Sequence, residues 1–232
     1  MRKYVLTDRT GITATGHTLA PGKFIQAKTD KTNLMRHVNE CGAATPLLAA
    51  LLSPIPAGQA RLFSIHCWNV TIDPKNAQSY TVVKEIETVP AVTPAQRLRF
   101  AILVARETCR DEEFRHWADQ WLAGMDTGVK AAQDTLANMR SELDAAAGLQ
   151  DTGAWSESDA DTSQGQRQND GMQRAWHVLR AMEMFDNPER ATSAAMEITQ
   201  ALAGLELLAA NLPLTAMCEL AMGEPPLQQA TG

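Results

Sequence analysis

The stretch 93–124, TPAQRLRFAILVARETCRDEEFRHWADQWLAG, limits what this chain can fold into more than any other. Thr93 is a helix N-cap residue, Pro94 takes the first helical position where its missing N–H costs nothing, and Gln96 completes a capping box. The run 100–105 is apolar on every side, as in a helix buried over most of its surface. Asp111 is placed to cap a second helix. Along it Phe114, Trp117 and Trp121 fall at i, i+3 and i+7, with Ala118 and Leu122 beside them, and Gly124 supplies the stop. The spacing predicts two consecutive helices at the hub of the core.

The chain ahead of this hub has a different period. Residues 3–7, 12–15 and 23–28 read as short strands separated by the turns Asp8-Arg9-Thr10-Gly11 and Pro21-Gly22. Helices are predicted from Thr32 or Asn33 to Gly42, and from Thr45-Pro46 to the Ser53-Pro54-Ile55-Pro56 break. Residues 61–72 form the strongest strand pattern, with Phe63, Ile65 and Cys67 on one face and Leu62, His66, Trp68, Val70 and Ile72 on the other. Residues 80–89 are its expected antiparallel partner.

After the hub, Val129, Ala132, Leu136, Met139, Leu143 and Ala146 step by alternating threes and fours, a seam for antiparallel helix packing. Residues 149–171, LQDTGAWSESDADTSQGQRQNDG, read as a mobile acidic loop. Trp176, Leu179, Met182 and Phe185 mark a further helix. Ala195, Ile198, Leu202, Leu205, Ala209 and Leu212 mark another, and a short last helix carries Met217, Cys218 and Leu220. The expected class is α+β: a small α+β module with antiparallel strands at 1–92, an all-α helical bundle at 93–222, and a flexible tail at 223–232.

Charge divides at the same place. Up to residue 92 there are 10 Lys and Arg against 6 Asp and Glu; beyond it there are 11 against 21. The net charge of −6 argues against nucleic acid as a direct partner. An acidic half suits a protein partner with a basic surface, as it also suits a plain solvated helical surface. The four cysteines, Cys41, Cys67, Cys109 and Cys218, show no C-x-x-C spacing and read as reduced, buried thiols. The N-terminus lacks an apolar signal core, and no apolar run reaches the roughly 20 residues a membrane helix needs. The expected place is a bacterial cytoplasm, with no membrane contact; homo-oligomerisation is left open.

Few residues carry catalytic or ligating promise. His37 and Cys41 share a helical face, while His66 and Cys67 point to opposite sides of a strand, so no metal site is expected from the four. Cys109 and His116 lack an orienting third group. Asp111, Glu112 and Glu113 read as first-turn carboxylates complementing a helix dipole. Met172, Met182 and Met184 read as core filler. No nucleophile elbow, phosphate loop, dinucleotide fingerprint or zinc-protease motif is present, so no catalytic residue and no cofactor are expected. Trp155 stands alone among acidic residues, the pattern of an idle exposed tryptophan more often than of a docking anchor. With Asp151, Glu157, Asp159 and Asp161 it makes the expected partner-binding set.

The hub resembles a group of uncharacterised bacteriophage and prophage proteins in which a small β-rich module precedes a TPEQRVRFAIL-like run and a W-A-x-x-W-L-x-G-x-D run. The corresponding residues here are 93–103 and 117–126, and Leu51-Leu52-Ser53-Pro54-Ile55 and Arg61-Leu62-Phe63 are also similar. The likeness covers roughly residues 45–127. Those proteins often carry a Gly-x-x-His turn ahead of the region; here Cys41-Gly42-Ala43-Ala44 has no histidine. The resemblance implies a phage or prophage setting and no particular reaction. The expected function is therefore a non-enzymatic accessory protein acting by protein–protein interaction, as an inhibitor of a host machine or defence complex in the manner of anti-CRISPR proteins. The alternative is an enzyme or ligand-binding protein whose basic N-terminal module holds a nucleotide or other anionic molecule through His37, Arg61 and His66.

Overall fold

The computed structural model describes residues 2–13, 16–27, 43–67, 78–125, 130–139, 159–203, 205 and 212–223. The chain is mixed α and β, and it packs as two units. The first is Met1–Arg97 with Leu202–Met222; the second is Leu98–Ala201 with the C-terminal end from Gly223.

The first unit holds one antiparallel sheet of four strands, β1 (Arg2–Asp8), β2 (Phe24–Ala27), β3 (Ala60–Cys67) and β4 (Gln78–Ile86), in the order β1-β3-β4-β2. Register places Val5 opposite Phe63, Ile65 opposite Val82, and Cys67 opposite Tyr80. These side chains, with Leu19 and Ile25, make one buried cluster. The alternation expected for Phe63, Ile65 and Cys67 holds, because a strand with one buried face keeps its apolar residues two apart. Of the strand expected at 12–15, the described part keeps only an isolated bridge from Ile12 to Thr18. The helix expected at 32–42 and the strand continuation over 68–72 lie outside the described residues.

On the other face, α1 (Pro46–Leu52) packs against β1. Its start is fixed by Thr45, whose hydroxyl accepts the Leu48 N–H at 3.1 Å. Tyr4 and Ala43 exchange two backbone hydrogen bonds, at 2.8 and 2.7 Å, along the outer edge of β1. The last helix, α7 (Leu214–Met222), packs on α1 and is counted with this unit. Met217 and Cys218 are buried as expected, but Leu220 is exposed.

The hub residues form α2 (Pro94–Thr108) and α3 (Glu112–Leu122). Both bonds of the capping box are made: Gln96 N–H donates to Thr93 Oγ1 at 3.2 Å, and Thr93 N–H to Gln96 Oε1 at 2.9 Å. In the second unit Phe100, Ala101, Ile102, Val104 and Ala105 are buried and Leu103 is half-buried, so the helix is buried over most of its surface but not on every side. Asp111 caps α3 by accepting the Phe114 N–H at 2.6 Å. Phe114, Trp117 and Ala118 are buried, Trp121 and Leu122 half-buried, and Gly124 ends the helix at φ 75°. Then come α4 (130–139), α5 (Asp159–Phe185) and α6 (Ala191–Ala201), the last two packed together.

Residues 159–171 are helical, which corrects the loop expected over 149–171 on its C-terminal half; 149–158 lie outside the described residues. A polar composition suggested a loop. The stretch also holds Gln164, Gln166, Arg167 and Gln168, which are good helix formers. The buried face of α5 is also shifted from the expected one. Ala175, Val178, Leu179 and Met182 form the buried stripe, while Trp176 and Phe185 are half-buried.

Candidate functional site

Register brings together residues that lie far apart in sequence. Arg2 pairs with His66, His66 with Thr81, and Thr81 with Phe24, so the four form one row across all four strands. At a strand spacing of about 4.8 Å the row spans about 14 Å. Arg2, His66 and Phe24 are exposed and Thr81 is half-buried, while Leu6 and Leu62 further along the same face are buried. Strand alternation decides which apolar residue goes where: Ile25 enters the core and its neighbour Phe24 faces out.

A bulge widens the exposed area. Ile65 pairs with Val82 but Ser64 pairs with Lys84, so Val83 is the extra residue of β4. Val83 lies two residues from Thr81, the partner of Phe24. Phe24 is 59% exposed and Val83 44%, and Lys84 beside them is exposed. Burying a phenylalanine from water contributes about 1.5–3 kcal/mol, so Phe24 is a ready source of binding energy.

The charges around this face are mostly of one sign. Arg2 and Lys84 are cations. Asp8 shares the β1 face but stands six residues from Arg2, where it accepts the N–H and hydroxyl of Thr10; those bonds hold its carboxyl below the usual range. Glu85 points to the opposite face. It accepts from Arg61 Nε at 2.8 Å and Arg61 Nη2 at 2.7 Å, a bidentate pair set 5.1 Å over the Phe63 ring. That pair holds the Glu85 carboxyl down and the Arg61 guanidinium up.

The expected ligand-binding set is therefore spread out. Arg61 and His66 lie on opposite faces of β3, five residues apart, and Arg61 is engaged by Glu85. His37 lies outside the described residues, as do Trp155, Asp151 and Glu157 of the expected partner-binding set. Asp159 and Asp161 stand on the first turn of α5. Cys109 is buried, and His116 is exposed with its Nε2 2.8 Å from Gln120 Nε2. Asp111 and Glu113 serve the start of α3: Asp111 caps it, and Glu113 accepts from Asn138 at 2.9 Å. Among the described residues, no three His, Cys, Asp or Glu side chains are placed to share a metal ion.

One further cluster sits in the second unit. His177 on α5 has its Nδ1 2.6 Å from Glu197 Oε2 on α6. An ionised carboxylate only accepts, so Nδ1 donates and Nε2 is left as the acceptor when the ring is neutral. Arg180 Nη1 reaches Glu183 at 3.4 Å, its Nε lies 3.9 Å from Glu197 Oε1, and its guanidinium sits 5.5 Å from the Trp176 ring. The arrangement braces α5 to α6 through one shared carboxylate.

Sequence reasoning missed both places. Phe24, Val83 and Lys84 carry a weak signal: the apolar-polar alternation breaks at Val82-Val83. His177 and Glu197 are 20 residues apart on different helices, and no periodicity joins them. No helix among the described residues is long and apolar enough to cross a membrane. Compared with protein-family models, curated proteins and solved structures, the chain matches none of them.

Proposed function

We propose that this chain is a phage- or prophage-borne accessory protein that works in the bacterial cytoplasm by binding a host protein, and that it binds through the open face of its sheet. The single observation that carries the reading is Phe24, 59% exposed beside Val83 on a sheet face bordered by Arg2 and Lys84. An exposed aromatic next to an aliphatic residue, rimmed by cations, is the composition of an interface centre with a polar rim. The similarity of the hub to phage and prophage proteins supplies the setting, and inhibition of a host machine or defence complex is the role such a binder would serve.

The experiment is site-specific photocrosslinking. A photoreactive residue at position 83 should capture one host protein in bacterial lysate, and Phe24→Ser should abolish the adduct while leaving the melting temperature unchanged. An adduct that forms equally well with Phe24→Ser sinks the reading.

A further inference from the structure

We infer that the occupant of this face is an acidic segment of the partner protein carrying an aromatic or aliphatic anchor. The inference rests on the interaction reading and adds the chemistry of the partner. The apolar part of the face is confined to its β2–β4 side, where Phe24 and Val83 are diagonal neighbours through Thr81. The cations flank it, Lys84 next to Val83 and Arg2 at the far end of the cross-strand row. Among the described residues, the carboxylates of the neighbouring strands are turned away or far off: Glu85 is held by Arg61 on the other face, and Asp8 is bound to Thr10 at the other end of β1. A segment crossing the row places its anchor on Phe24 and Val83 and its carboxylates near Lys84 and Arg2. Its carboxylates then meet opposite charge at Lys84 and Arg2, which favours encounter and penalises basic competitors.

Two other occupants fit less well. A second copy of this chain, packed face to face about a two-fold axis, would set Arg2 and Lys84 against themselves. Nucleic acid could stack on Phe24, but the two permanent cations the face carries among the described residues neutralise few phosphates, and the chain carries a net charge of −6.

The test uses the full chain and labelled polymers of known composition. Fluorescence anisotropy is read with a random Glu,Tyr copolymer, a Lys,Tyr copolymer, polyglutamate and oligo-dT, and the oligomeric state is read by light scattering. Binding of the Glu,Tyr copolymer in clear preference to the other three is expected, since only it offers both charge and anchor. Phe24→Ser should weaken it about tenfold or more. The double reversal Arg2→Glu, Lys84→Glu should weaken it by about as much, and raised salt should weaken the parent towards that level. Equal binding of the Lys,Tyr copolymer, tighter binding of oligo-dT, Phe24-dependent dimerisation, or no binding of the Glu,Tyr copolymer would each overturn the acidic partner. Those results leave a Phe24-dependent host adduct standing, whereas polymer selectivity without such an adduct fails the functional reading alone.

Discussion

A β-carbon at Gly171 would overlap the carbonyl oxygen of Thr108, closer than any side-chain carbon comes to backbone. Gly171 is buried midway along α5, and Thr108 is the last residue of α2. The two segments touch backbone to backbone because the glycine has no side chain. In an exposed helix, glycine to alanine stabilises by about 1 kcal/mol. Here the obstructing atom is backbone and cannot rotate away, and overpacking of this kind costs about 1–3 kcal/mol or more. Gly171→Ala should therefore lower the melting temperature by several degrees, on the scale of about 2–4 °C per kcal/mol for a chain of this size. A rise instead would mean that α5 does not approach α2 this way.

Trp117 is 3% exposed, and its ring lies 5.7 Å from that of Phe114. Removing a buried ring of that size should cost on the order of 3–5 kcal/mol. Trp121, four residues on, is half-buried and should cost clearly less when replaced by alanine. The comparison is made by chemical denaturation of both variants. Equal losses would place the centre of the hub elsewhere on α3.

These two residues show what the sequence made legible and what it hid. Trp117 was readable because its partners, Phe114 and Ala118, are on the same helix, at spacings that one turn imposes. The Thr93–Gln96 box and the Asp111 cap were readable for the same reason: each is a bond across three residues. Gly171 reads as loop because nothing local says that a glycine is there to let another helix in. The sheet face was hidden by a similar gap. Alternation put Ile25 inside and Phe24 outside, but only the pairing of β2 with β4 sets Phe24 beside Val83. Long-range register is not written in a single strand.

The Arg61–Glu85 pair gives a pH dependence with a definite sign. The Glu85 carboxyl is held below its ordinary value, first by the Arg61 hydrogen bond. Such a group adds stability above the unfolded value, about 4.3, and that contribution is lost as pH falls through the lower folded value. Both side chains are more than a third exposed, so the effect is small and screened by salt. The difference in melting temperature between parent and Glu85→Gln should be largest near pH 6 and shrink towards about pH 3. Asp8, also held low, shifts parent and variant alike and cancels. A difference that grows on acidification would refute the assignment.

Arg97 poses the opposite problem, a cation paid into a buried place. It is 6% exposed, and burial pushes its guanidinium down to about 10. It stays protonated at neutral pH, and that desolvation costs about 3 kcal/mol. Against this, Arg97 Nε donates to the Leu51 carbonyl at 3.0 Å, near the end of α1, where carbonyls lack helical partners and a cation is favoured. A hydrogen bond from a charged donor contributes about 1.5–3 kcal/mol. Such bonding offsets the cost of burial, so Arg97→Met, which fills the space without the charge, should lie within about 1 kcal/mol of the parent. Arg97→Ala opens a cavity as well and should lose about 2 kcal/mol more. The sign with pH follows from the lowered value: between about 10 and the unfolded value the unfolded chain binds more protons, so stability from this group rises with pH. Measured by urea unfolding, the parent should gain on Arg97→Met from about pH 9 to about pH 11. A methionine variant as unstable as the alanine one, with no change in that gap, would show that the bonds Arg97 makes outweigh the cost of burying the charge.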